Sequence, residues 1–234
     1  MRRVILDTET TGLRHQDGHR ILEIACLEIV NGKPTGNGLH EYINPEMEID
    51  PGASRVHGIT NEMVSDMPTF VDLAEAIAEF IKGAQLVIHN ANFDIGFLNK
   101  EFKRAGMGAN WVYKNCKVLC TLEKARSKYP GKRNNLDALC ERFGVDNSKR
   151  GMHDALTDVA LLGEVFYHLT GSKTVYEFSN VDSPARQKML ERQTKAPRPV
   201  SSQTLQPVPR QDNSKVWWWF FVIVVGALIL GSVG

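Results

Sequence analysis

The pattern of apolar residues in the N-terminal part of the chain predicts β-strands. A short apolar run at residues 4–6 is followed by a longer one at 21–30, which ends at the dipeptide Asn31-Gly32. An Asn-Gly pair between two apolar runs is a strong signal for a β-hairpin. A third strand is expected at 40–43, because Asn44-Pro45 follows it as a strand breaker. These elements predict an antiparallel β-meander.

The period of the apolar pattern changes after residue 70. Apolar side chains between residues 70 and 81 recur with the spacing of an amphipathic helix. Strands first, and then strands and helices in alternation, are typical of an α/β protein with a mixed sheet between helices. The further elements expected are a buried strand at 86–88 and helices at 93–105, 119–129, 134–143 and 154–169.

The composition changes again near the end of the chain. The segment 173–215 is rich in Pro, Gln and Ser, which predicts a flexible linker. Residues 216–234 carry no charge and begin with three tryptophans after Val216. As a helix, a segment of this length would span about 28 Å, close to the thickness of a membrane core. We therefore predict a C-terminal membrane anchor that leaves the folded domain, residues 1–172, in the cytoplasm; the alternative is an apolar tail that binds a partner protein.

The composition fits an ordinary globular protein. The chain has 234 residues, of which 42% are hydrophobic and 24% charged, and its net charge is +1. The charge therefore neither indicates nor excludes a nucleic-acid partner, because acidic ligands can offset local basic patches. Its four cysteines include a single C-x3-C pair, Cys116 and Cys120, which is weak evidence for zinc. Reduced thiols in the cytoplasm are the expectation.

Acidic residues follow the predicted strands at positions suited to chemistry. Asp7 and Glu9 stand two residues apart at the end of the first strand, so both point to one face of the sheet. Asp94 comes just after the strand at 86–88, and Asp158 follows His153 by five positions. Each acid alone could cap a turn or a helix. Together they predict a site with oxygen ligands for Mg²⁺ or Mn²⁺.

The acidic positions, in this order and with a histidine in the third group, resemble the three motifs of the DnaQ-like 3′–5′ exonucleases of the DEDDh type. The stretches 86–97, 130–139 and 146–150 further resemble the epsilon, or proofreading, subunits of bacterial DNA polymerase III. The similarity extends from about residue 3 to residue 171. It implies a ribonuclease H-like fold, a sheet flanked by helices.

The resemblance also implies a role for individual residues. His153 would be the general base of a hydrolysis that removes nucleotides from DNA 3′ ends with two divalent cations, Mg²⁺ or Mn²⁺. The implied metal ligands are Asp7, Glu9, Asp94 and Asp158. The implied contacts to the terminal nucleotide are Asp7, Glu9, Thr10, Leu13, His57, Phe93 and Asp158. Lys132, Arg133, Lys149 and Arg150 would either hold the phosphates of the single strand or form a solvated face.

The C-terminal part departs from the family's pattern. Where a clamp-binding motif would carry Gln, this chain has Lys173, although it keeps the final Phe178. No polymerase-binding tail is recognisable. The leading hypothesis is a proofreading subunit that partners single-stranded DNA ends and the polymerase III catalytic subunit. The alternatives are an independent DnaQ-like nuclease that trims RNA or single-stranded DNA at the membrane, and a catalytically silent, membrane-tethered binding module.

Overall fold

A computed structural model describes residues 1–148 and 150–171 of the chain. The predicted linker at 173–215 and the hydrophobic segment at 216–234 lie outside the described residues. Across the part that is described, none of the helices combines the length and the apolar character needed to cross a membrane.

The centre of the fold is a five-stranded mixed sheet with the strand order β3-β2-β1-β4-β5. Strands β1, β2 and β3 pair antiparallel, which agrees with the predicted meander. Strands β4 and β5 continue the sheet in parallel on the other side of β1. The strands are β1 (Arg2–Thr10), β2 (Ile21–Val30), β3 (Lys33–Tyr42), β4 (Gln85–Ile88) and β5 (Lys117–Cys120).

The turn between β2 and β3 has the conformation that its sequence predicts. Asn31 and Gly32 both have positive φ, at 51° and 80°, as a tight hairpin turn of the primed type requires. Strand β3 begins at Lys33, several residues before the predicted start at residue 40. The sequence hides this extension, because residues 33–38 contain a proline and two glycines and no alternating apolar side chains.

Helices cover both faces of the sheet. The longer ones lie within a few residues of their predicted positions, whereas α1, α2 and α5 have seven residues or fewer and are too short to show a helical period. The helices are α1 (Pro51–His57), α2 (Asn61–Val64), α3 (Phe70–Ile81), α4 (Ala91–Arg104), α5 (Trp111–Asn115), α6 (Thr121–Lys128), α7 (Leu136–Phe143) and α8 (Ala155–Thr170); a 3₁₀ turn spans His15–Asp17.

One predicted helix begins later than expected. Residues 119 and 120 belong to β5, and α6 begins at Thr121. Strand β5 has four residues, and one of them, Lys117, is exposed. Such a short run carries no usable alternation, so only its pairing with β4 defines it as a strand.

The sheet separates two apolar layers. Val4 and Leu6 of β1 pack into a cluster with α3 and α4, whereas Ile5 packs into a second cluster with α7 and α8. The alternation of β1 therefore directs its side chains to both layers. At the end of β1 this same alternation places polar side chains between α4 and α8.

Candidate active site

A cavity of about 440 Å³ opens where β1 and β4 end. The two strands are parallel neighbours, and ligand sites in sheets of this kind lie beyond the carboxyl ends of parallel strands. Seven of the predicted site residues line the cavity: Asp7, Glu9, Leu13, Phe93, Asp94, His153 and Asp158. Residues more than 140 positions apart in the sequence thus meet at one edge of the sheet.

Strand β1 supplies the first two carboxylates. Asp7 and Glu9 both line the cavity, as the alternation of a strand predicts. Glu9 is 9% exposed and stands opposite Glu23 of β2 in the strand register. Burial, together with the negative charge of Glu23, raises the pKa of Glu9 to about 9. Glu9 therefore binds a proton at neutral pH unless a cation compensates its charge.

Asp94 reaches the cavity from the first turn of α4. Asn90 precedes this helix with a left-handed backbone, φ 65°, which turns the chain sharply from β4 into α4. Thr8 Oγ1 donates a hydrogen bond of 2.8 Å to Asp94 Oδ1. Burial raises the pKa of Asp94 to about 7, although the Thr8 hydrogen bond acts in the opposite direction.

The N-terminal end of α8 supplies Asp158 and, from the preceding loop, His153. Asp154 caps this helix by accepting hydrogen bonds from the backbone N–H groups of Leu156 and Thr157. Asp158 is therefore one turn into the helix, in agreement with the sequence analysis. The backbone N–H of His153 donates to the Val56 carbonyl at 3.1 Å, and its Nδ1 lies 3.4 Å from Asp158 Oδ2.

Burial and the negative charges of neighbouring acids oppose the ionisation of Asp7 and Glu9. The pKa of Asp7 is raised well above its usual value by burial and then by the charges of Asp158, Asp94 and Glu9. Ligand atoms of Glu9, His153 and Asp158 all lie within 4.8 Å of one another. This crowded set of oxygen donors fits hard divalent cations, which relieve the repulsion and accept several carboxylate ligands.

Arg150 occupies a different position from that expected of a solvated basic residue. Its side chain is only 8% exposed and lines the cavity. Two of its nitrogens donate to the two oxygens of Asp158, Nε at 2.6 Å and Nη2 at 2.7 Å. Burial acts to raise the pKa of Asp158, but the nearby His153 and the hydrogen bonds and charge of Arg150 hold it below its usual value.

The remaining predicted basic residues are not equivalent to Arg150. The Arg133 side chain is 81% exposed and lies 3.8 Å from Glu141, and Lys132 is also exposed. Lys149 lies outside the described residues. Lys132 and Arg133 therefore fit the alternative of a solvent-exposed basic face, whereas Arg150 belongs to the cavity wall.

The predicted contacts to the terminal nucleotide fall into two groups. Leu13, which is 83% exposed, and Phe93 line the cavity. Among the described residues, Thr10 and His57 are not part of the cavity wall. Thr10 Oγ1 donates to the Gly12 carbonyl at 2.8 Å, and His57 Nδ1 accepts from the Ile59 N–H at 3.1 Å. Burial lowers the pKa of His57 to about 4.

Several cavity residues were not predicted from the sequence. His89, which follows β4 directly, has its Nδ1 2.9 Å from Thr121 Oγ1, and burial lowers its pKa to about 4. The sequence gives only two signals for these residues. Most of them lie close to a predicted site residue, and others, such as Asn135, belong to the stretch 130–139 that resembles the epsilon subunits. The wall residues that the sequence analysis did not name are Thr8, His89, Asn90, Asn135, Leu136 and Asp137.

Comparisons with known proteins identify the family of the chain. Residues 4–166 match the family model described as exonuclease, so the chain belongs to this exonuclease family. The chain is 49% identical over 177 residues to the DNA polymerase III subunit epsilon of Pasteurella multocida, covering 74% of this chain and 70% of that protein. It is 47% identical over 182 residues to the subunit epsilon of Escherichia coli K12, covering 76% and 75%.

Solved structures show the same fold. Exonuclease X in complex with 5′ overhanging duplex DNA superimposes with a TM-score of 0.56 at 26% identity, over 73% of this chain and 92% of that one. The nuclease domain of 3′hExo, a DEDDh family member bound to rAMP, gives a TM-score of 0.63 at 17% identity, over 75% and 96%. The α/β fold with a mixed sheet is thus confirmed.

The raised carboxylate pKa values predict an unusual pH dependence of stability. In the unfolded chain, Asp7, Glu9 and Asp94 have ordinary pKa values near 4. In the folded protein without metal, the pKa is about 7 for Asp94, about 9 for Glu9 and well above its usual value for Asp7. Between these pH values, the folded protein binds more protons than the unfolded chain. The free energy of unfolding therefore falls as the pH rises from about 5 to 9, by about 2 kcal/mol or more. Urea unfolding with EDTA across this range measures the fall, and saturating Mn²⁺ should reduce it.

An Asp7→Asn variant tests the cause of this dependence. Removal of one of the mutually repelling charges should make the metal-free protein more stable than the parent at pH 8–9. Glu75→Gln removes the same charge from an exposed position on α3 and should leave the stability profile unchanged. A parent chain whose stability in EDTA rises steadily to pH 9 would contradict the electrostatic account.

Proposed function

We propose that this chain is a metal-dependent 3′–5′ exonuclease that removes terminal nucleotides from DNA as the proofreading subunit of a replicative polymerase. The observation that carries the proposal is the convergence of Asp7, Glu9, Asp94, His153 and Asp158 on one open cavity. The family match and the similarity to epsilon subunits support the same activity.

The carboxylates of Asp7, Glu9, Asp94 and Asp158 would hold two divalent cations, Mg²⁺ or Mn²⁺. Oxygen donors of this kind prefer both ions to softer metals. When bound, the cations supply a water of lowered pKa and stabilise negative charge on the scissile phosphate and the leaving oxygen. The protein contributes the fixed positions of the carboxylates, with Thr8 holding Asp94 by a hydrogen bond.

His153 would accept the proton of the attacking water. Its side chain is 47% exposed at the cavity, where water can reach the ring. Asp158 Oδ2, 3.4 Å from Nδ1, is placed to accept the Nδ1 proton, and that tautomer leaves the Nε2 lone pair free for a proton.

The terminal nucleotide would bind against the apolar part of the cavity wall. Leu13 and Phe93 offer an exposed aliphatic surface and a ring on which a base can rest. These contacts are independent of base identity, as removal of any mispaired nucleotide requires.

The first prediction concerns the activity itself. The parent chain should shorten a 5′-labelled single-stranded DNA from its 3′ end in Mg²⁺ or Mn²⁺, and excess chelator should stop the reaction. Asp7→Ala combined with Glu9→Ala should abolish nucleotide release, because two carboxylates of one face are lost, whereas Glu75→Gln should have no effect. Gel analysis of the labelled products is the measurement. Substantial release by the double variant in Mg²⁺ would refute the assigned ligands.

A second prediction isolates the general base. His153→Ala should lower turnover by about 10²–10⁴-fold. It should change Mn²⁺ affinity much less, since the four carboxylates remain. Single-turnover digestion and calorimetric titration with Mn²⁺ measure the two effects separately. An unchanged rate would remove His153 from the proton-transfer step.

A third prediction addresses assembly and location. We propose that the chain associates with the polymerase III catalytic subunit and that residues 216–234 tether it to the membrane. Purification of the full chain and, separately, of residues 1–215 tests both the association and the tether. Polymerase should accompany the full chain, and truncation should move the protein from the membrane fraction to the soluble one without loss of nuclease activity. A full chain that is already soluble would exclude the tether, and one without polymerase would favour an independent nuclease that trims RNA or single-stranded DNA.

A further inference from the structure

The guanidinium of Arg150 lies at the meeting point of three side chains of the site. It holds both oxygens of Asp158, at 2.6 and 2.7 Å, and it also bonds to Asp137 Oδ1. Its Nη2 lies 3.1 Å from His153 Nδ1. Because a guanidinium can only donate hydrogen bonds, Nδ1 is the acceptor in this contact.

These contacts conflict with the roles proposed for Asp158 and His153. A divalent cation that binds Asp158 competes with Arg150 for this carboxylate, because two positive charges close to the same oxygens repel each other. The contact from Arg150 to His153 Nδ1 likewise favours the tautomer of His153 that carries its proton on Nε2. A general base needs a free lone pair on that nitrogen. We therefore expect Arg150 to leave this position when metal ions bind.

The surroundings of Arg150 provide a second position for its guanidinium. Asp137, at the start of α7, is half exposed, with 51% of its side chain accessible, and it lines the same cavity. It can retain the guanidinium at the wall after Asp158 is released. The planar fork of an arginine matches two oxygens of a phosphate as well as it matches a carboxylate.

We propose that Arg150 is a substrate-binding residue that pairs with Asp158 until metal ions bind and then, still held by Asp137, binds the phosphate of the terminal nucleotide. This inference rests on the proposed function of the cavity. It makes Arg150 a competitor of the metal in the absence of nucleotide. It also makes metal and nucleotide binding cooperative, because each removes Arg150 from Asp158.

Mn²⁺ titration without nucleic acid tests the competition. Arg150→Gln removes the competing cation and should bind Mn²⁺ at least about fivefold more tightly than the parent, measured by calorimetry. Arg133→Gln removes the same charge from an exposed position in the loop between α6 and α7, and this variant should bind Mn²⁺ as the parent does. Equal or weaker Mn²⁺ binding by Arg150→Gln would overturn the proposal.

Nucleotide binding tests the second position. At saturating Mn²⁺, a deoxynucleoside 5′-monophosphate should bind Arg150→Gln about tenfold or more weakly than the parent, with Arg133→Gln again unchanged. Equal nucleotide affinity would also overturn the proposal. If Arg150→Gln does not fold, Arg150→Lys replaces it, because an ammonium cannot span both Asp158 oxygens and the same two changes are expected. The proposed function fails separately, if the parent chain releases no nucleotides from DNA.

Discussion

Repulsion among buried carboxylates is the constraint on which the rest of this site depends. Asp7, Glu9 and Asp94 have raised pKa values because they share a poorly solvated edge of the sheet. Such an arrangement costs stability unless protons or cations compensate it. Among the described residues of the cavity wall, Arg150 supplies positive charge, and membership of the exonuclease family implies that divalent ions supply more.

The scaffold holds these groups together by tying α8 to the sheet. Glu23 of β2 is 1% exposed, and its Oε1 lies 2.6 Å from His40 Nε2. Its other oxygen accepts from the Ala155 N–H, at 3.2 Å, in the first turn of α8. This contact fixes the start of the helix that carries Asp158 directly beside the strand that carries Glu9. A fifth buried acid therefore positions the site from below the cavity.

Local sequence patterns predicted the elements with a clear period and missed those without one. The Asn31-Gly32 turn, the long helices and the placement of Asp158 one turn into α8 followed from short-range rules of backbone geometry. The resemblance to DnaQ-like exonucleases is confirmed by the family match. Strand β5 and the early start of β3 were missed, since inter-strand hydrogen bonds rather than side-chain alternation define them.

The sequence by itself determined which acidic side chains of one strand or helix share a face, because strand and helix periods decide this. It could not decide where side chains from separate elements meet. Only the tertiary structure places Thr10 and His57 outside the cavity wall and brings Arg150, Asp137 and Asp158 into contact. The physical reason is that such contacts depend on how α7 and α8 pack against the sheet, across sequence separations that no local pattern encodes.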